Sequence, residues 1–429
     1  MKYETINNGL FKRNRKNFTA KVQNNSIAIF HSNDEFPRSG DQPFPFKQNA
    51  DLFYLTGIDQ EKSILILFPD SPDPKYREAL FLLETNEHIA IWEGHKYTKE
   101  EARQVSGIQS VFWLNEFDKV LPMLLHYAER IYLNSNENDR YVHQVIYRDL
   151  RLARELKAAF PFHQYVRSAP IMRELREIKS TTEVDLIRNA CNITGKAFRR
   201  VLDYVKPDVA EYEIEAEIIH EFIRNRASGH AYHPIIASGA SACVLHYGEN
   251  NQVCRDNEVI LMDFGAEYAN YNADLTRSIP VNGRFSDRQR AVYNAVLRVM
   301  KEAIQLLVPG MALTDYNKEV GKLMEAELLG LGLLSRHDVE KQTDDAPAYK
   351  KYFMHGISHH LGLDVHDTGN RYGKIAPGMV FTCEPGIYIP EEGLGIRLEN
   401  DILVTGDGNT DLMADIPLEA GEIEDLMNA

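Results

Sequence analysis

One arrangement in the second half of the chain restricts its fold more than any other: a long helix, a second helix and then strand-like sequence, stated twice. The first copy opens at Ser180-Thr-Thr-Glu183, where Ser and Glu three residues apart form a capping box for the free amides of a helix start. Val184, Ile187, Cys191, Thr194, Phe198, Val201 and Val205 follow at steps of three and four, so they share one face of an amphipathic helix that Pro207 stops. Ser286-Asp-Arg-Gln289 opens the second copy, with Val292, Val296, Val299, Ala303 and Leu306 on one face before Pro309. After each proline comes a second helical segment, Tyr212 to Arg226 and Tyr316 to Leu329, and then strand-rich sequence. Two such halves can set their strands face to face around a cleft. The competing reading is that helix pairs ahead of strands recur by chance in an α+β domain.

Ahead of this repeat, short β-branched or aromatic runs alternate with polar turns: Ser26 to His31, Ile64 to Phe68, Ala79 to Leu83, Ile89 to Trp92, Val111 to Leu114 and Ile131 to Leu133. Helices are expected at Glu116 to Arg130 and at His143 to Phe160. The pattern is that of an α/β domain ending near residue 175, which divides the chain into 1–175 and 176–429.

With 429 residues, 44% of them hydrophobic, the chain is long enough for two or three domains. No stretch reaches the ~20 apolar residues of a membrane span, and Met1 to Ala20 is polar with no apolar leader core. The expected address is cytoplasmic, with no membrane partner. Cys191, Cys243, Cys254 and Cys383 show no CxxC spacing and read as reduced and mostly buried. A net charge of -15 argues against a nucleic-acid partner, whose phosphates call for clustered Lys and Arg. Part of that acidity has another use if carboxylates gather round cations.

The strand-rich parts hold the unusual residues. The apolar run of Val259-Ile-Leu-Met-Asp-Phe-Gly265 ends in Asp263, and Asn272-Ala-Asp-Leu-Thr-Arg277 supplies Asp274. A hairpin turning near Tyr268 and Ala269 would set 263 and 274 opposite each other on one face. Carboxylates so close repel and raise one another's pKa unless a cation lies between them. Taken alone, the pair reads more plainly as two solvated strand-end aspartates.

Further along, His355-Gly-Ile-Ser-His-His-Leu-Gly-Leu-Asp-Val-His366-Asp gathers four histidines. His355 and His359 have the spacing of zinc-protease helices, but Gly356 replaces the glutamate of HExxH, and Gly356 and Gly362 disfavour helix, so a loop or strand is expected. Val380-Phe-Thr-Cys-Glu384-Pro-Gly-Ile-Tyr388 buries Glu384 at the end of an apolar run. In Ile396 to Val404, alternation puts Ile396, Leu398, Ile402 and Val404 on one face of a strand and Arg397, Glu399 and Asp401 on the other. Four carboxylates and one imidazole form a hard, oxygen-rich donor set suited to a pair of divalent ions, Mn²⁺ first, with Zn²⁺, Co²⁺ or Fe²⁺ as alternatives. Two such ions about 3.5 to 4 Å apart can share a bridging hydroxide and polarise a carbonyl.

These residues resemble the pita-bread metallopeptidases, the group of methionine aminopeptidase, prolidase and aminopeptidase P, from about Ile178 to Glu419. Gln48-Asn-Ala-Asp-Leu-Phe-Tyr-Leu-Thr-Gly57 is similar to the aminopeptidase P amino-terminal domain. The resemblance implies an α+β chain, with an N-terminal α/β, ribonuclease H-like domain over 1–175 and a pita-bread catalytic domain of two pseudo-repeated halves over 176–429. It implies Asp263, Asp274, His359, Glu384 and Glu399 as metal ligands, Asp274 and Glu399 bridging, with Glu384 also a proton shuttle. It places His246, His355 and His366 along the substrate site, steadying the tetrahedral intermediate, and Tyr388 and Arg397 near the proline-side pocket or the metals. Without the family, His246 reads as a surface histidine. Trp92, in Ile91-Trp-Glu-Gly94, is similar to a tryptophan that reaches a neighbouring subunit's substrate site in some members; its other reading is an aromatic packed inside the N-terminal domain. His360 stands where a bulky apolar residue is frequent, and Leu333 to Lys351 matches no motif.

The activity implied is a metal-dependent Xaa-Pro aminopeptidase acting on peptides with proline second, in a homo-oligomeric dimer or tetramer. Ser358 favours this over prolidase, which more often carries Gly there. The rivals are prolidase, a metal-free creatinase-like amidinohydrolase and a non-catalytic pita-bread binding domain. The last two sit poorly with a chain that keeps every carboxylate ligand.

Overall fold

A computed structural model describes residues 3–138, 140 and 144–429. It divides into two units, Tyr3–Arg176 and Glu177–Ala429. In the first, the expected β-branched runs become Ser26–His31 (β1), Ile64–Leu67 (β2), Glu78–Leu82 (β3), Ser110–Trp113 (β4) and Arg130–Leu133 (β5), joined by Gln164–Arg167 (β6). They form one mixed sheet in the order β4-β3-β2-β1-β5-β6, antiparallel only at the β1–β2 and β2–β3 pairs. Ile27, Ile29, Ile66, Phe81 and Ile131 of one face pack with Leu121 and Leu124 of helix Phe117–Leu125 and with Leu152 and Leu156 of helix Arg148–Ala159.

Three expectations in this unit are corrected. Ile89 to Trp92 is no strand but part of helix Glu87–Glu93, started by the Asn86 side chain, which accepts the Ile89 amide at 2.9 Å. A short apolar run has no period that separates helix from strand, and the cap decides. None of the residues of this helix is buried, and Trp92 is 80% exposed, so it does not pack inside the domain. The helix expected over Glu116 to Arg130 stops at Leu125, since the chain must extend again to enter β5 at Arg130. The one expected from His143 begins at Arg148; His143 itself lies outside the described residues.

In the second unit both capping motifs stand at helix starts. The Glu183 carboxylate accepts the Ser180 amide and hydroxyl at 2.9 and 2.7 Å ahead of Thr181–Tyr204 (α1). Ser286 and Gln289 exchange bonds in both directions ahead of Asp287–Leu306 (α3). Glu211–Arg224 (α2) packs on α1, and Leu313–Gly330 (α4) on α3. The α2 helix leads into the sheet of Ile235–Ser238 (β7), Val259–Phe264 (β8) and Leu275–Pro280 (β11), with the hairpin Ala266–Tyr268 (β9) and Tyr271–Asn272 (β10) between its last two strands. The α4 helix precedes Val380–Cys383 (β12), Gly386–Ile389 (β13), Leu394–Arg397 (β14), Asn400–Val404 (β15) and Asn409–Asp411 (β16). Here β12-β15-β16 is one sheet and β13-β14 another. The halves meet where Glu399 N–H donates to Thr276 O at 3.1 Å and Thr276 Oγ1 to Glu399 Oε2 at 2.6 Å.

Two strand details differ from the sequence reading, and both concern the site. The hairpin turns at Ala269 and Asn270, whose φ values of 52° and 66° are those of a type I′ turn. That turn is centred one residue later than expected, so Asp263 pairs with Thr276 and not with Asp274. The ladder is interrupted at Gly265, where a Cβ would lie 1.7 Å from Ala273 O. The expected single strand from Ile396 to Val404 is also broken: the chain leaves one sheet at Arg397 and joins another at Asn400. No polar face results, because Arg397, Glu399 and Asp401 are all buried. Cys191, Cys254 and Cys383 are buried free thiols, Cys243 is half-buried, and no described helix is long and apolar enough to cross a membrane.

Candidate metal centre

The five candidate donors come from separated strands and loops. Asp263 stands near the end of β8, Asp274 just ahead of β11, Glu384 between β12 and β13, and Glu399 between β14 and β15. His359 lies in a loop, as expected, and the backbone fixes it there: its amide donates to Thr382 Oγ1 at 3.1 Å and Thr382 N–H to its carbonyl at 3.0 Å. The donor atoms of Asp274, His359 and Glu399 all lie within 4.8 Å of one another. His359 Nε2 is 3.5 Å from Asp274 Oδ2 and 3.7 Å from Glu384 Oε1. A single phenol ties the aspartates, with the Tyr232 hydroxyl 2.6 Å from Asp263 Oδ1 and in contact with Asp274 Oδ1.

Arg397 carries the guanidinium of the cluster. It donates to Asp263 Oδ2 at 2.6 Å, to the Tyr388 hydroxyl at 2.8 Å and to Thr276 Oγ1 at 3.1 Å. Tyr388 in turn lies 2.8 Å from His355 Nε2, while His355 Nδ1 faces the Gly356 carbonyl at 2.7 Å. A carbonyl only accepts, so the His355 proton sits on Nδ1 and Nε2 takes the Tyr388 hydrogen. The ring of His366 stands edge-on to that of His359, centroids 4.5 Å apart. His246 is exposed in the turn after Gly239–Cys243. Trp92 belongs to the other unit.

The electrostatics match a cation site. Burial, then the charge of Asp263, pushes the Asp274 carboxyl well above the usual range; burial, then Asp274, does the same to Glu399. Glu384 is raised to about 7 by burial, against the pull of His359. His355 falls to about 3, through burial and then the Arg397 charge, and is neutral at ordinary pH. His359 Nδ1 donates to His360 O at 3.0 Å, which turns its Nε2 toward the carboxylates of Asp274 and Glu384. The cluster calls for positive charge, and oxygen donors with one imidazole fit a divalent ion.

A sequence profile of the aminopeptidase P N-terminal domain matches residues 11–132, and one of metallopeptidase family M24 matches residues 185–406. The chain belongs to metallopeptidase family M24. It is 36% identical to the Xaa-Pro aminopeptidase of Haemophilus influenzae over 97% of both chains. It is 35% identical to that of Escherichia coli, over 98% of this chain and 97% of the relative. Zinc-substituted E. coli aminopeptidase P in complex with product superposes with a TM-score of 0.88 at 32% identity, covering 99% of each chain. The fold is therefore the pita-bread aminopeptidase P fold behind an N-terminal domain, and the protein is a metallo-hydrolase.

Not every residue that shapes this M24 site is legible in the sequence. Tyr232 joins the aspartates, yet the stretch Ala231-Tyr-His-Pro234 has no periodicity to direct its side chain. Thr276 and Thr382 are ordinary strand residues whose hydroxyls hold Glu399 and the His359 backbone. Asp401, read as a face-mate of Glu399, is fully buried and accepts the Asp274 amide at 3.1 Å and the Cys191 thiol at 3.3 Å.

Proposed function

We propose that the chain is a two-metal Xaa-Pro aminopeptidase, releasing the first residue of peptides in which proline is second. The observation that carries this is the convergence of Asp274, His359 and Glu399 on one volume, with Asp263 and Glu384 at its border. Asp263, Asp274, His359, Glu384 and Glu399 hold two divalent ions, with Mn²⁺ the first choice and Zn²⁺, Co²⁺ or Fe²⁺ the alternatives. Asp274 and Glu399, only 5% and 2% exposed, would be the most deeply placed of the carboxylates that hold them. When bound, such ions supply a nucleophile from water near neutral pH and polarise the scissile carbonyl.

The chain's own groups do the rest. Glu384 takes the proton of the attacking water and delivers it to the leaving proline nitrogen, which cannot depart as an anion; a carboxyl titrating near 7 suits both transfers. His246, His355 and His366 line the substrate side and steady the tetrahedral intermediate. Arg397 keeps Asp263 and Tyr388 in place beside the proline-side pocket. Residues 1–175 are the aminopeptidase P N-terminal domain and 176–429 the catalytic domain. An uncovered Trp92 suits a residue that works in a neighbouring subunit's substrate site, within a dimer or tetramer in the cytoplasm.

The test is a panel of Xaa-Pro-Pro tripeptides and Xaa-Pro dipeptides offered to metal-depleted and Mn²⁺-loaded enzyme. Release of the first residue from tripeptides, only with metal, is expected. Cleavage of dipeptides alone would make it a prolidase, and turnover without metal would remove the metal-centred reading.

A further inference from the structure

The loop that carries His359 is gripped from outside by the stretch leading into α1. Lys179 Nζ lies 3.0 Å from Asp367 Oδ2, and both side chains are 1% exposed. Two residues earlier, Glu177 Oε1 accepts the Asn370 amide at 3.0 Å and stands 3.6 Å from His360 Nε2. The Lys179 amide donates to Gly378 O at 2.8 Å, so residues 177–179 touch the chain at several points beyond the histidines.

Hydrogen bonds show what this grip reaches. Asp367 N–H donates to His360 O at 2.9 Å, the same carbonyl that accepts the His359 Nδ1 proton at 3.0 Å. The second bond selects the His359 tautomer and leaves Nε2 facing Asp274 and Glu384. Asp367 also directly follows His366, whose ring stands against that of His359. Gly362 O accepts the backbone and side-chain N–H of Asn272, two residues before Asp274, at 2.9 and 3.0 Å. Gly362 itself has no room for a side chain, since a Cβ would lie 2.2 Å from Asp367 Oδ2 and 3.0 Å from Lys179 Cε.

Stability alone is a weak reason to bury an ion pair, because packed apolar residues commonly do as well or better; what such a pair can confer is a single geometry. We propose that Lys179, acting through Asp367, is a positioning residue that presets His359 and His366 before metal and substrate arrive. The inference rests on the reading of His359 as a metal ligand. Outer-shell partners of metal-binding histidines are worth about 10- to 100-fold in metal affinity, which sets the size of the effect.

Two variants test it, one that leaves no buried charge unpaired and one that keeps both charges. Lys179→Met with Asp367→Asn removes both charges, and Gly362→Ala forces the pair apart with its charges intact. Arg176→Met with Asp51→Asn is the control, breaking a buried pair at 2.8 Å in the other unit. Mn²⁺ is titrated into metal-free protein by calorimetry, and ¹⁵N spectra of histidine-labelled apoprotein report the His359 tautomer, assigned by its loss in His359→Ala. Both clasp variants should bind Mn²⁺ at least about 10-fold more weakly and show His359 divided between tautomers, while the control matches wild type. Wild-type affinity and tautomer in the clasp variants, with His359→Ala impaired, overturns the proposal alone. Wild-type affinity in His359→Ala overturns the ligand reading and the proposal with it.

Discussion

At the scale of single residues, the decisive quantity is how far burial moves a carboxyl group towards neutral pH. Glu384 reaches about 7 because its surroundings take it out of water beside other acids. Glu384→Gln keeps the shape and removes the proton carrier, so kcat should fall by about 10²- to 10⁴-fold while the melting temperature of the metal-free protein holds or rises. Near wild-type turnover would end the assigned role. The same shift fixes a sign for pH. Between the ordinary Glu value and about 7, the folded metal-free protein holds a proton here that the unfolded chain has released. Folded protein then binds more protons than unfolded, so its stability falls as pH rises through that window. Asp274 and Glu399, raised for the same reason, add in the same direction. Metal reverses the trend, since it binds the deprotonated donors. Burial also keeps His355 neutral, which acts with the opposite sign below the ordinary histidine value of 6.5, so the window that isolates the carboxyls lies above it. Urea midpoints from about pH 7 to 8 should decline without metal and not with Mn²⁺; a rise without metal contradicts the burial argument. The residue types of the five donors stand out in the sequence because acids and histidines at the ends of apolar runs need a reason to be there. Tyr232 does not, because a tyrosine in a short loop needs none.

Elements were legible where period and cap agree, and less so where geometry is set by one backbone atom. The two long helices are marked by Ser180 and Ser286 and by their apolar stripes, because caps and periodicity are local. The register of the Asp263 hairpin is not local in this way, because it depends on which two residues adopt positive φ, and Asn270 rather than Tyr268 joins Ala269 in the turn. The break at Leu398 was hidden for a related reason: alternation continues through it in the sequence while the chain changes sheets. Gly265 is where the hairpin geometry is most exposed to a single substitution. A methyl group there meets the Ala273 carbonyl, which is backbone and cannot swing aside, immediately before Asp274. Gly265→Ala should cost about 1 to 3 kcal/mol in urea unfolding and weaken Mn²⁺ binding with it. Loss of stability with undiminished metal affinity would separate the strand opening from the placement of Asp274.

For the whole molecule, the division into Tyr3–Arg176 and Glu177–Ala429 has a thermodynamic consequence. Chains with more than one unit commonly depart from all-or-none unfolding, and a ligand stabilises only the cooperative unit that binds it. All five proposed metal donors lie in the second unit, and both tryptophans of the chain, Trp92 and Trp113, lie in the first. Tryptophan fluorescence therefore follows one unit, while far-UV circular dichroism follows both. At a hundredfold excess over Kd, a bound ion adds about 2.7 kcal/mol to the unit that holds it. Mn²⁺ should then move a circular dichroism transition to higher temperature and leave the fluorescence transition where it was. Chelation should return the first without touching the second. If the two transitions instead move together, the units unfold as one, and the separate domains read from the sequence are a single cooperative structure.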